Sequence, residues 1–298
     1  MPEICEVVLT SQALKNKLLN KKLNQINILS GRYTKSPFKG YNNMTFPLKV
    51  VNIDSHGKFM WFKFENDKYL LNTFGLSGMW GFNKTNNNRI EFVFEDNIMV
   101  YYDDDRNFGT FEYDNTQSAF NKKINKLAPD LLKTDFTKEQ FLGWFKDFLS
   151  KSSRRKDMLI VKVLMNQNKN DGIGSGLGNY LVPEILYRCK ISPHRKIGDL
   201  SDNEIMHMAQ MIKQVLKLCY VYNDTRYMTV DKDMKDFVED HYNNLDEYPD
   251  YHSEIQIPIG QKFMFFVYRQ KVDPIGNKVI GEKIINNRTT YWVPTVQK

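Results

Sequence analysis

Gly176-Leu177-Gly178-Asn179-Tyr180-Leu181-Val182-Pro183-Glu184-Ile185-Leu186-Tyr187-Arg188 is the stretch whose reading decides the fold. Two glycines within three residues mark a tight turn, and the apolar residues after them follow a helical spacing. A glycine-rich turn that opens a helix presents backbone N–H groups and a positive dipole end, which suit a DNA phosphate. Asn179 adds a side-chain donor beside them. The same pattern also serves as a plain turn between two packed helices, and the motif alone leaves both readings open.

The chain around this motif has two textures. From residue 139 to about 221 the pattern is helical, with Thr137 placed to start the first helix. Upstream, from about 22 to 115, the chain reads as short strands: LKVVNID (48–54), KFMWFKFE (58–65), KYLLNTF (68–74), RIEFVFED (89–96) and NIMVYYD (97–103), separated by Gly, Asn and Asp turns. This spacing predicts an antiparallel sandwich or barrel. A helix is expected over residues 5 to about 20, where Val8, Leu9, Ala13 and Leu19 recur at helical intervals. A polar, Tyr- and Asp-rich stretch at 222–256 reads as loop, and 258–298 returns to strands. The expectation is an α+β architecture: a β-sandwich domain at 1–120, a linker at 121–138, a helical domain at 139–257 and a terminal hairpin at 258–298.

The 298 residues carry a net charge of +7, with 41% hydrophobic and 26% charged residues, as expected of a globular chain with an anionic partner. Nucleic acid is the commonest such partner. Cys5, Cys189 and Cys219 form no CxxC pair, which argues for a reducing compartment and against a disulfide framework. Acidic residues at 3 and 6 replace the basic start of a signal peptide, and no apolar run reaches the ~18 residues of a membrane span. An intracellular protein without a membrane partner is expected.

Met1-Pro2-Glu3 supplies a possible nucleophile. Aminopeptidases remove Met1 before a residue as small as proline, which exposes the secondary amine of Pro2. An α-amino group titrates near pH 8, roughly 2 units below lysine, so part of it is neutral and nucleophilic at physiological pH. Attack of such an amine on a sugar C1′ or a carbonyl is covalent catalysis. Glu3 and Glu6 lie within one turn and are placed to move protons.

Taken in order, PEICEV (2–7), HGKF (56–59), FGLSG (74–78), DDRNFG (104–109), LAPDLL (127–132), GLGNYLVPEIL (176–186) and NNRTTYW (286–292) resemble the formamidopyrimidine-DNA glycosylase/endonuclease VIII family. The form is most similar to its Nei-like members with a zincless finger. GLGNYLVPEILYR looks like the family's helix–two-turn–helix signature. The resemblance implies a bifunctional DNA glycosylase/AP lyase that excises oxidised bases, pyrimidines favoured, and then cuts the strand by β,δ-elimination. Pro2 matches the nucleophile, Glu3 the acid/base, Glu6 an acidic neighbour, and Lys58 a phosphate-contacting lysine that is otherwise a solvated turn residue. Asn179, with Gly176 and Gly178, matches the phosphate-binding turn, and Arg288 the arginine of the hairpin tip. Leu76, Arg106 and Phe108 match the trio that fills the gap left by a flipped nucleotide, although without the resemblance ordinary burial is the preferred reading of Leu76 and Phe108. The implied partner is double-stranded DNA with an oxidised base or abasic site, bound by a monomer wherever genomic DNA is held. A weakly catalytic damage-binding protein of the same fold is the alternative.

The chain departs from the family pattern in places. The four cysteine positions of the zinc finger correspond to Ile275, Lys278, Val293 and Val296, none of them a zinc donor, so no cofactor and no zinc are expected and Val293 and Val296 are expected to hold the hairpin by apolar contact. Ile4-Cys5 replace the usual Gly-Pro. Arg106 is followed by Asn107 where a second arginine is common. The run before the glycine turn is about four residues longer than usual, and 222–256 has no counterpart.

Overall fold

The computed structural model describes residues 2–114, 116–222, 231–258, 260–285 and 287–298. It divides into two compact units, Met1–Asn125 with Asn223–Pro249, and Lys126–Tyr222 with Asp250–Lys298.

The first unit starts with helix α1 (Ile4–Leu18), then strands β1 (Lys22–Ile28), β2 (Leu48–His56), β3 (Phe59–Phe64), β4 (Lys68–Thr73), β5 (Met79–Gly81), β6 (Asn88–Phe94), β7 (Met99–Asp103) and β8 (Thr110–Asp114). These form one antiparallel sheet in the order β5-β7-β6-β1-β2-β3-β4-β8. At its centre β1 and β2 share only the pairs Lys22↔Lys49 and Leu23↔Leu48, so the sheet folds there into two halves. Trp80 on β5 seals them: its ring contacts Phe92 and Tyr102 of its own half and Phe62 and Phe111 of the other. Its indole N–H donates to Asn72 Oδ1 at 3.0 Å, which satisfies the polar edge inside the core. The sandwich expected from the alternating strands is present.

Two differences from the sequence reading fall in this unit. Residues 117–124, which straddle the start of the expected linker at 121, form helix α2 (Gln117–Ile124), capped by Thr116. The second concerns 222–256: residues 223–230 lie outside the described residues, but Lys232–Asn243 form a helix, called α7 below, rather than loop. Its low hydrophobicity hid it, because only Met234 and His241 are buried along it. It belongs to the first unit, whereas the sequence reading placed it with the helical domain.

The second unit contains α3 (Lys138–Ser150), α4 (Ile160–Met165), α5 (Leu181–Arg188) and α6 (Asp202–Val221), followed by the hairpin β9 (Ile280–Ile285) and β10 (Arg288–Trp292). Capping boxes at Thr137/Gln140 and Ser201/Glu204 start α3 and α6, as their sequences dictate. Phe141, Phe145 and Phe148 of α3 and Ile205, Ile212 and Leu216 of α6 are buried, and the two helices pack together. Among the described residues of 258–298 only β9 and β10 are strands; the rest is held by side chains and by scattered backbone bonds, such as that from the Val279 N–H to the Lys271 carbonyl at 3.0 Å. No described helix is long and apolar enough to cross a membrane.

His241 of α7 is 1% exposed beside Phe237 and Tyr248, and burial pushes its imidazole down from 6.5 to about 4. The folded ring stays neutral while the unfolded ring takes up a proton below pH 6.5. Stability is therefore unpenalised above pH 6.5 and falls towards pH 4, by up to about 3 kcal/mol. Burial also lowers His252 in the second unit. Urea unfolding between pH 7.5 and 4.5 is expected to show this decline, and His241→Phe to reduce but not abolish it.

Candidate functional site

Glu3 is the extended N-cap of α1, and Glu6 Oε2 accepts its N–H at 2.9 Å. Glu3 and Glu6 are 0% and 1% exposed, so the spacing Glu-x-x-Glu gives both carboxylates fixed surroundings at the start of the chain. Ile4 and Cys5 between them are fully buried. The departure from the family pattern thus sits in the core, and Cys5 takes the role of a small apolar residue. Pro2, Glu6 and Thr10 line a small open cavity, with room for about one water molecule, together with Phe74, Gly78, Met79, Trp80 and Met234. Lys58 stands on the two-residue turn between β2 and β3, and β2 packs on α1.

Leu76 and the Arg106–Phe108 segment lie on two loops that one buried carboxylate ties together. Asp104, 2% exposed, accepts from Ser77 Oγ at 2.7 Å and from the Gly109 N–H at 2.6 Å, while Ser77 Oγ accepts the Arg106 N–H at 3.0 Å. Arg89 supports the same loop through the carbonyls of Asp104 and Asp105, at 2.8 and 3.3 Å. Gly75, at φ +64°, lets the loops touch, because a Cβ there would lie 2.5 Å from the Phe108 carbonyl carbon. Phe108 is left 57% exposed and Leu76 half-buried. A large aromatic side chain held out on a pinned loop is an unusual placement that ordinary burial does not explain. Ser77, Arg89 and Asp104 were not singled out from the sequence; the only trace was the acidic start of DDRNFG.

In the second unit the glycine turn leads into α5, with Gly176 and Gly178 buried. Asn179 Nδ2 donates to the Thr289 carbonyl at 3.3 Å, so Asn179 and the hairpin strand that begins with Arg288 are brought together. Arg288 itself is exposed. Glu184, fully buried on α5, accepts the N–H groups of Phe266, Val267 and Tyr268 at 2.9–3.0 Å and pairs with Arg188 at 2.6 Å. This carboxylate anchors the segment before the hairpin, a role the sequence motif did not disclose.

At the four expected cysteine positions, Ile275 is 78% exposed, Lys278 is exposed, Val293 is fully buried and Val296 packs beside it. These residues do not fit zinc, which needs Cys, His or carboxylate donors. Val267, Val279 and Val293 form an apolar cluster instead, with Tyr187, Phe266, Tyr291 and Val296 against it. Asp273 orders the adjoining turn: it accepts the Ile275 and Asn277 N–H groups at 3.1 and 2.7 Å, the Asn277 amide at 2.9 Å and the Tyr187 hydroxyl at 3.0 Å. Burial would raise its carboxyl, but these bonds hold it below the usual range. Burial and Asp273 push the Tyr187 phenol up to about 12. Elsewhere Asp135, His252 and Glu254 place ligand atoms within 4.8 Å of one another, but Lys213 Nζ lies 3.5 Å from Asp135 and 2.6 Å from Glu254 and already supplies the positive charge.

Comparison with known proteins agrees with this layout. Family models described as the N-terminal, H2TH and C-terminal domains of formamidopyrimidine-DNA glycosylase match residues 1–111, 127–227 and 255–298. Residues 228–254, which hold α7, fall between the matches. The formamidopyrimidine-DNA glycosylase of Mycoplasma mobile is 30% identical over 228 residues, covering 73% of this chain and 77% of that one. Its counterpart in Mycoplasma genitalium is 26% identical over 306 residues, covering 100% and 96%. The fold is that of the wild-type Lactococcus lactis Fpg solved with DNA containing an oxidised pyrimidine, with a TM-score of 0.73, 19% identity and full coverage of both chains. These relatives carry the Fpg name, and they lend no support to the leaning towards Nei-like members.

Removal of the Glu184 carboxylate strands three backbone N–H groups and Arg188 in the interior. Glu184→Ala is expected to cost about 3 kcal/mol or more in urea unfolding, and Glu184→Gln about half as much because one acceptor remains.

Proposed function

Because the chain belongs to the formamidopyrimidine-DNA glycosylase family, we propose that it is a bifunctional DNA glycosylase/AP lyase acting on oxidised bases in double-stranded DNA, with Pro2 as nucleophile. The single observation that carries the reading is the cavity at the start of α1, where Pro2 and the Glu6 carboxylate share one lining with apolar side chains. After Met1 is removed, the Pro2 amine attacks C1′ of an extruded nucleotide and the base leaves with the bonding electrons of the glycosidic bond. Glu3 exchanges protons as the sugar ring opens to an iminium. Loss of a C2′ proton then expels the 3′ phosphate, and a second elimination expels the 5′ phosphate.

Flipping costs a few kcal/mol, and Phe108 and Leu76 on their tied loops repay part of it by filling the vacated stack while Arg106 bonds the orphaned base. Each unit offers phosphate contacts of its own: Lys58 in the first, and Asn179 with Gly176 and Gly178, and Arg288, in the second. The hairpin does this without zinc, its shape maintained by the valine cluster and Asp273. Oxidised pyrimidines are the favoured substrates, in keeping with a cavity crowded by Met79, Trp80 and Met234.

Borohydride added to the mature protein with an abasic-site duplex is expected to trap a covalent adduct through residue 2. A protein extended at its N-terminus should give none. Tight binding without an adduct would instead support a damage-binding protein. Metal analysis after dialysis is expected to give substoichiometric zinc; one zinc per chain would overturn the metal-free hairpin.

A further inference from the structure

Arg106 and Phe108 are exposed on their loop, but Asn107 between them is half-buried and bonded back to the short helical turn Gly31–Thr34. Its Oδ1 accepts the Arg32 N–H at 3.3 Å. A Cβ on Gly31 would lie 2.1 Å from that oxygen, so glycine at 31, with φ +76°, is what admits the contact. Asn107 itself has φ +56°, a left-handed conformation that asparagine adopts more readily than arginine does. On the other side of Phe108, the Gly109 carbonyl accepts from two donors of the same turn, the Tyr33 hydroxyl at 2.9 Å and the Arg32 guanidinium. Arg32 also donates to the Tyr33 hydroxyl at 3.0 Å. Just before the turn, Ser30 Oγ accepts at 2.9 Å from Arg89, the arginine that also holds the Asp104 and Asp105 carbonyls. Residues 104, 105, 107 and 109 are thus fixed by the Ser30–Thr34 segment and Arg89, while Arg106 and Phe108 stay exposed.

We propose that Asn107 is the clasp of the Phe108 loop, and that the Gly31–Thr34 turn, through Arg32 and Tyr33, is the seat it closes on. Together these positioning residues hold Phe108 and Arg106 ready to enter the base stack. The inference rests on the glycosylase reading above. Where a second arginine is common, this chain has a short amide that reaches backbone instead, so Arg106 is the one cation of residues 104–109. An aromatic side chain that enters a stacked duplex works against unstacking. A loosely held loop would yield, and ordering it during binding would weaken the complex. Bonds to its backbone on both sides of Phe108 remove that freedom beforehand. The clasp therefore matters where a nucleotide must be driven out of a paired duplex, and has little effect where the lesion is already unpaired.

The test compares single-turnover excision of thymine glycol from a fully paired duplex and from the same duplex with the lesion in an unpaired bubble. Asn107→Ala is expected to lower the paired-to-bubble ratio about tenfold, as is Arg32→Ala combined with Tyr33→Phe. Asn107→Asp, which keeps Oδ1 and tolerates the left-handed backbone, should restore the ratio whatever its charge does to overall binding. In parallel, 2-aminopurine placed beside an abasic-site analogue reports unstacking on binding without any chemistry. Its fluorescence gain should fall in Asn107→Ala and return in Asn107→Asp. Ratios unchanged in both Asn107→Ala and the double variant overturn the proposal. An equal loss on both substrates does so too, as does a failure of Asn107→Asp to restore the ratio. If the unaltered protein excises nothing, the glycosylase reading fails by itself, and the 2-aminopurine signal then decides on the clasp alone.

Discussion

The carboxylate of Glu184 is the interaction on which the second unit depends. It is fully buried and accepts three consecutive backbone N–H groups, at residues 266–268, that lie outside any strand. Buried amides without an acceptor cost on the order of 1–3 kcal/mol each, and a buried carboxylate without donors costs more. Each partner therefore makes the other tolerable, with Arg188 completing the charge balance. Because Glu184 sits on the helix that follows the glycine turn, the same contact fixes that turn against the hairpin segment. The bond from Asn179 to Thr289 closes the arrangement. The glycine turn and the arginine-bearing hairpin are tied together in this way.

The device recurs at four other places in this chain. Glu6 holds the N–H of Glu3 at the chain start, Asp104 ties the Leu76 and Phe108 loops, Asp231 joins α7 to the end of β5, and Asp273 orders the hairpin turn. Loop amides lack the partners that a helix or sheet would provide, and an acidic side chain accepts two or more of them at once. In the hairpin, Asp273 and a valine cluster hold the turn. The apolar part is non-directional and the carboxylate part is directional, and together they specify one turn shape.

Much of the fold was legible because its signals are local. Strands β2, β3 and β6 alternate buried and more exposed residues, β4 and β7 are short apolar runs with buried centres, and all five could be read with nearly correct ends, while Thr137-x-x-Gln140 announces α3 by reciprocal bonds three residues apart. The helix α7 was not legible, since its stability comes from Asp231 bonding Phe82 and Asn83 far away in sequence. Residues 258–279 read as strand but form none among those described, because Glu184 and Asp273 capture amides that a sheet would otherwise pair.

What the sequence determined by itself was the chemistry on offer. It supplied a proline and two carboxylates within residues 2–6, a glycine turn with Asn179, an aromatic two residues after Arg106, and hairpin positions without metal donors. These follow from residue type and from spacings of a few residues, which no tertiary contact alters. Tertiary structure alone decided which loops are rigid and what shares a cavity with Pro2. Met234, Asp104 and Glu184 act on partners remote in the chain, and burial makes those contacts binding: once desolvated, each polar group must find its partner, and only the folded chain decides which one is near.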